Sequence, residues 1–285
     1  MQRYLVNQRQ RQEGGNKYMF FIEIKRAVSR VSFKIAILIG CVFSIASLIK
    51  TYVPVGNAYD VLNTYITGLV HTPFDKFIAF QLNPTSNLLF IILPIISTLS
   101  YSDSYIEDVK SGFIKSIYTR HKKHSYLLSK YFANFFVSGI AFSTPLLINY
   151  ISLMLIYPSI QSDVVFGCST IRIGGLYSEL FYGHGNLYIL MWIVIYFFYS
   201  GTIASIALCF SKVIKNKFIV CFTPFILFIL IEILTQVSNL SKYSPTQYLY
   251  LPMNKNFSIG LLEFSLILVV TVSLFCFGEV DNEIY

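Results

Sequence analysis

A chain of 285 residues that is 55% hydrophobic and 13% charged carries far more apolar length than one soluble core needs. Its net charge of +8 is spread along the edges of long apolar stretches, which argues against a nucleic-acid partner and for contact with anionic lipid headgroups. Of the five cysteines, Cys41, Cys209, Cys221 and Cys276 fall inside those stretches and Cys168 has no obvious partner, so neither a disulfide framework nor a zinc motif is expected.

Residues 1–17 are polar and read as a disordered tail. A second reading stays open. Codons for Glu13-Gly14-Gly15 can spell a purine-rich ribosome-binding sequence with Met19 at a suitable distance, and the tail is then an untranslated leader. Residues 18–285 read as a single transmembrane domain, with no cleavable signal peptide ahead of the first span.

Phe20–Val31 predicts an amphipathic helix. Phe20, Ile24, Ala27, Val28 and Val31 form its apolar face, and Glu23, Lys25, Arg26, Ser29 and Arg30 fill the other. It is too short and too charged to span. It is expected to lie along the cytoplasmic interface, as a lipid anchor or as a docking surface that uses Glu23, Lys25 and Arg26.

Six apolar stretches follow: Phe33–Ile49, Thr85–Ser102, Tyr131–Tyr157, Leu187–Phe210, Phe218–Val237 and Ile259–Phe277. Each is about long enough to cross a hydrocarbon core. Eight Lys or Arg precede span 1 or lie in its first turn, six separate spans 2 and 3, and three separate spans 4 and 5. The other connections hold two, one and two, so the split is seventeen against five. The positive-inside rule then places both termini in the cytoplasm.

On the outer side, Val61, Leu62, Tyr65, Ile66, Leu69 and Val70 recur at helical spacing and predict an interfacial helix. The connection 158–186 contains Gly174-Gly175 and Gly183-His184-Gly185. The connection 238–258, with Pro245 and Pro252, is expected to dip into the bilayer where protein covers its backbone. Asn134, Asn149 and Thr144-Pro145 in span 3 read as packing and kink features. Glu232 and Glu263 are the ionisable residues of the last two spans. They are candidates for transport or gating, although each lies near a span end.

The segment between spans 2 and 3 is the most informative. Ile106, Val109, Phe113 and Ile117 predict an apolar helical stripe with Asp103, Glu107, Asp108, Lys110 and Lys115 around it. Gly112 predicts a bend. The cluster Arg120 to Lys123 precedes span 3, and His121 and His124 lack the further ligands that a metal needs. The chain contains no Gly-x-x-x-x-Gly-Lys-[Ser/Thr] phosphate loop and no motif of a metalloprotease or serine hydrolase, so it is not expected to be an enzyme.

In this segment the chain resembles the membrane subunits of ABC-2-type ABC transporters. That family carries an acidic residue, three variable positions and a glycine after span 2. A short hydrophobic helix, a Ser-Arg-like pair and a Gly-Lys-like pair entering span 3 then follow. Asp108, Gly112, Thr119-Arg120 and Ser129-Lys130 stand in those places, with Thr for Ser, Ser for Gly and no proline before the Thr-Arg pair. Lys215-Asn216-Lys217 before span 5, Thr223-Pro224-Phe225 within it and the helix before span 1 are similar too.

The resemblance implies an all-α, six-span permease half of an ATP-driven exporter. It implies a second permease half, identical or homologous, and two copies of an ABC ATPase subunit. ATP and Mg belong to that ATPase, and no cofactor is implied on this chain. The segment after span 2 is then a coupling helix, with Glu107, Asp108, Gly112, Phe113, Arg120 and Lys130 as candidate contacts. The expected cargo is a peptide or a hydrophobic small molecule. The excess of Lys over Arg and the abundance of Ile, Phe and Tyr point to the cell membrane of a Gram-positive bacterium. A secondary carrier and a non-transporting immunity or sensor protein remain as alternatives.

Overall fold

The computed structural model describes residues 19–52, 72–81, 83–119, 122–161, 171, 176–238, 240, 243–249 and 257–278. The tail 1–17, the predicted helix within 61–70, Arg120, His121, Cys168, Gly174-Gly175, Pro252 and the chain after 278 lie outside the described residues.

Every regular element among the described residues is helical. Helix α1 covers 19–29 and bends at Arg30 into α2, Val31–Tyr52. A 3₁₀ turn, Ile78–Phe80, leads to α3, Pro84–Tyr101. Two short helices follow, α4 (Ser104–Lys110) and α5 (Phe113–Tyr118). Then come α6 (Lys123–Ile156), α7 (Ser178–Gly183), α8 (Gly185–Phe210), α9 (Lys217–Val237), α10 (Pro245–Leu249) and α11 (Phe257–Phe277). Among the described residues five helices are long and apolar enough to cross a membrane: α2, α3 with its continuation into α4, α6, α8 and α9. The apolar stretch described on α11, Gly260–Cys276, is shorter.

Helix boundaries follow the apolar stretches closely, with one exception. The 34-residue α6 starts at Lys123, two turns before the apolar run begins. Hydropathy cannot register those turns, because they carry Lys123, His124 and Lys130.

Helices α6 and α8 form the centre of the bundle. They approach through reciprocal glycines. Gly139 of α6 lies under the Phe197 ring, where an added Cβ would sit 2.6 Å from ring carbons. Gly201 of α8 faces Phe135, and its Cβ would come within 2.9 Å of the Phe135 carbonyl oxygen. Small residues at a crossing let two backbones come close, which is how apolar helices gain packing contact without a hydrophobic driving force. Helix α3 packs against α2, α6, α8 and α9. Phe90, Phe142, Tyr188, Trp192 and Tyr196 fill the space between them, their rings tilted or edge-on to one another.

Hydroxyls join these helices where hydrocarbon offers no water. The Ser97 and Ser200 hydroxyls are 2.7 Å apart, Ser200 donates to the Ser138 carbonyl at 2.8 Å, and Ser102 donates to the Ala204 carbonyl at 3.1 Å. Pro145 fits against Gly40 of α2, and Ser44 donates to the Pro145 carbonyl at 2.8 Å. Asn149 donates to the Ser44 carbonyl and accepts from the Ile78 amide, so this packing residue joins α2, α6 and the 3₁₀ turn.

Helices α2 and α9 are the least buried of the five. Only Val220, Pro224 and Phe228 of α9 are buried, a stripe four residues apart that lies against its neighbours.

Candidate functional site

Charged side chains from four parts of the chain meet at one end of the bundle. Helix α1 and the bend after it contribute Glu23, Arg26 and Arg30, spaced three and four apart. The end of α3, the turn after it and α4 bring Tyr101, Asp103, Glu107 and Asp108. The first turns of α6 supply Tyr126 and Lys130, again four apart, and α9 opens with Lys217.

The inner group is a closed square of two acids and two bases. Glu23, Asp108 and Lys130 are 2%, 1% and 0% exposed. Arg26 donates to Asp108 at 2.6 Å and to Glu23 at 2.7 Å. Lys130 donates to Asp108 and lies 3.1 Å from Glu23. Two phenols complete the square, Tyr126 donating to Asp108 at 2.5 Å and Tyr101 to Glu23 at 2.6 Å. The Lys130 ammonium also lies over both rings, 5.0 and 5.7 Å from their centroids. Buried charges persist only when paired and hydrogen-bonded, and each member here has at least two partners.

A second group lies nearer the surface. Arg30 donates to Asp103 at 2.7 Å and to Glu107, and Lys217 donates to Glu107 as well. It also consists of two acids and two bases. Between the groups a polar cleft of about 170 Å³ is lined by Arg26, Ser29, Arg30, Tyr101, Ser104 and Glu107. Burial works against the Arg26 charge, but bonding to Asp108 and the nearby Glu23 carboxylate outweigh it, and its pKa is raised.

Two expectations about faces need correction. Glu23 shares the buried face of α1 with Met19 and Ala27, whereas Val28 and Val31 point outward. An unpaired carboxylate would stay in water, but Arg26, Lys130 and Tyr101 draw this one inside. Nor do Ile106, Val109, Phe113 and Ile117 form one buried stripe. Gly112 adopts φ +71°, the bend that glycine allows, and this left-handed residue resets the helical phase. The buried side chains are Ser104, Tyr105, Ile106, Asp108 and Ile114. Val109 and Phe113 are left exposed at the tip of the α4–α5 hairpin, at 41% and 39%.

Asp108, Lys130, Glu23 and Arg26 therefore come together inside the protein, and Asp108 does not present its carboxylate to an outside partner. Glu107 is half-buried beside them. Phe113 lies at the tip with its ring 4.6 Å from the Arg26 guanidinium. Lys25 is exposed on the opposite face of α1. Glu232 and Glu263 are not part of the cluster. Glu232 accepts from Ser244 at 2.5 Å and from the Thr246 hydroxyl at 2.8 Å, which ties α9 to the start of α10. Glu263 is half-buried on α11.

Arg30, Asp103, Tyr101 and Tyr126 join the site without having been singled out in the sequence. The three-and-four spacing of Glu23, Arg26 and Arg30 was a usable signal for Arg30. Nothing local marks the two tyrosines, which look like ordinary interfacial anchors.

What the arrangement can do is mechanical. Ion pairs hold the hairpin to α1, α6 and α9 at once. Each carboxylate of the cluster already has a cation, and among the described residues no three metal-ligating side chains converge. Among known proteins, no family model, curated protein or solved structure matches the chain.

Proposed function

We propose that this chain is the membrane permease half of an ATP-driven exporter of the ABC-2 type, and that a separate ATPase subunit pushes on the α4–α5 hairpin. The observation that carries this reading is how the hairpin is tied in. Asp108 and Glu107 bind α1 through Arg26 and Arg30, α6 through Lys130 and α9 through Lys217. A displaced loop would absorb motion, whereas a hairpin pinned to α1 and to two long helices passes it on as rigid-body movement. Its tip offers Val109 and Phe113 beside Lys110 and Lys115, an apolar pair with a basic rim that suits a protein partner.

The remaining parts of the proposal follow from the same end of the bundle. The seventeen-to-five split of Lys and Arg supports a cytoplasmic hairpin and cytoplasmic termini. Helix α11, 21 residues at 1.5 Å each, is about 31 Å long and supplies the sixth crossing. Helices α2 and α9, the least covered, flank α3 and form the face for the second permease half. ATP and Mg act on the two ATPase subunits. The setting is the cytoplasmic membrane of a Gram-positive bacterium, and the cargo is a hydrophobic small molecule or a peptide.

The test is co-purification with candidate ABC ATPases from the source organism, with transport assayed alongside. Val109→Glu with Lys115→Glu, both at exposed positions, is expected to abolish association and transport while leaving membrane insertion and melting unchanged. Full association and full transport in that double variant would overturn the proposal.

A further inference from the structure

We propose that the cleft between α8 and α11 is a binding site for one aliphatic chain, entered from the side of the bundle. The cleft encloses about 280 Å³, just below the roughly 300–1,000 Å³ of pockets for drug-sized ligands. Its walls are aliphatic and aromatic and carry no charge. The hydroxyls present are engaged elsewhere in at least two cases. Tyr196 donates to the Leu249 carbonyl at 2.8 Å, and Ser265 donates to the Leu262 carbonyl at 2.9 Å.

Shape narrows the ligand further. On α11 the wall runs from Gly260 to Leu268, about 12 Å at 1.5 Å per residue. The cleft is therefore a slot parallel to the helix. Leu249 of α10, itself buried, forms part of its lining, where Tyr196 holds α10 in place. The slot is braced by Tyr199 and Phe264, stacked with centroids 5.2 Å apart. Phe198 and Leu261 stand exposed at the mouth, on the outer surface of the two helices.

Water has too few polar partners here to fill the slot. A peptide would leave its amides unpaired against these walls. A linear hydrocarbon satisfies both the lining and the shape. Such a chain has two sources, the acyl tail of a membrane phospholipid or the tail of a free amphiphile passing through the protein. The inference rests on the slot alone and stands whether or not an ATPase drives the chain.

The experiment uses the full-length protein in nanodiscs of phosphatidylcholine and phosphatidylglycerol, doped with a phosphatidylcholine that carries a diazirine near the end of one acyl chain. After photolysis, cross-links are expected on 195–199 and 260–268, about tenfold above those on Phe222 and Ile226 of α9. Ser265→Trp fills the slot and is expected to remove that excess. Leu261→Trp blocks the mouth from an exposed position and is expected to do the same, which guards against a folding defect in the first variant. Excess free decanoate separates the sources: loss of the cross-links assigns the slot to a free amphiphile, and their persistence assigns it to phospholipid. Even labelling of α8, α9 and α11, or undiminished labelling in a folded Trp variant, overturns the proposal.

Discussion

Arg26 and Asp108 are 82 positions apart in the chain, yet Nη2 of one lies 2.6 Å from Oδ1 of the other. The contact fastens the helix that precedes the first span to the segment that follows the second. Because Lys130 reaches the same carboxylate from α6, three distant stretches share one buried anion.

Removing one partner from that square should be costly. Loss of one member of a buried ion pair typically costs about 3–5 kcal/mol, because the other charge stays buried and unpaired. Asp108→Leu is expected to melt well below the natural chain, and Asp108→Leu with Lys130→Met to recover most of the loss. The single tryptophan, Trp192, is buried in the core and gives a fluorescence signal for the melt. A double variant no more stable than the single one would show that the pairing contributes little.

Gly112 has no atom within 4 Å of the position a Cβ would take, so its requirement is conformational. Holding an L-residue at φ +71° costs about 1–2 kcal/mol, less for Asn. Gly112→Ala is expected to loosen the hairpin and, if the proposed function holds, to lower coupling of ATP hydrolysis to transport, with Gly112→Asn intermediate. Equal coupling in all three chains would remove the hairpin's shape from the mechanism.

Sidedness can be read by labelling in intact cells. In a cysteine-free background, Ile160→Cys is exposed at the end of the bundle away from the ion network, and Lys115→Cys lies on the hairpin. An impermeant maleimide is expected to modify the first and spare the second. The reverse pattern would invert the proposed orientation.

Glu232 acts as an anchor for α10 through Ser244 and Thr246. Glu232→Ala is expected to raise amide hydrogen exchange across 244–249 by about tenfold, the effect of losing roughly 1.4 kcal/mol of local stability. Exchange in the centre of α8 should not change. If exchange rises in neither region, Glu232 is not what holds α10, and the Tyr196 bond to the Leu249 carbonyl suffices.

Long-range pairing separates what was legible in the sequence from what was not. Apolar runs are local, and they placed the ends of α2, α3, α8 and α9 within a few residues. The bend at Gly112 was legible for the same reason, since glycine's freedom belongs to one residue. The inward turn of Glu23 was not, because two of the three groups that draw it in, Tyr101 and Lys130, are 78 and more than a hundred positions away. Periodicity assigned Glu23 to the polar face of α1 by residue type, and residue type cannot reveal a buried partner. Val109 and Phe113 misled in the opposite direction. A continuous 3.6-residue count across Gly112 assumes a continuous helix, and the left-handed residue breaks it.

The order of synthesis gives the square a timetable. Glu23 and Arg26 leave the ribosome first, then Asp108, and Lys130 last. Until the third apolar helix begins to emerge, two carboxylates share a single guanidinium in the square. Lys130 is thus the last of the four charges to be made, and the square can balance its two carboxylates only once the start of α6 exists.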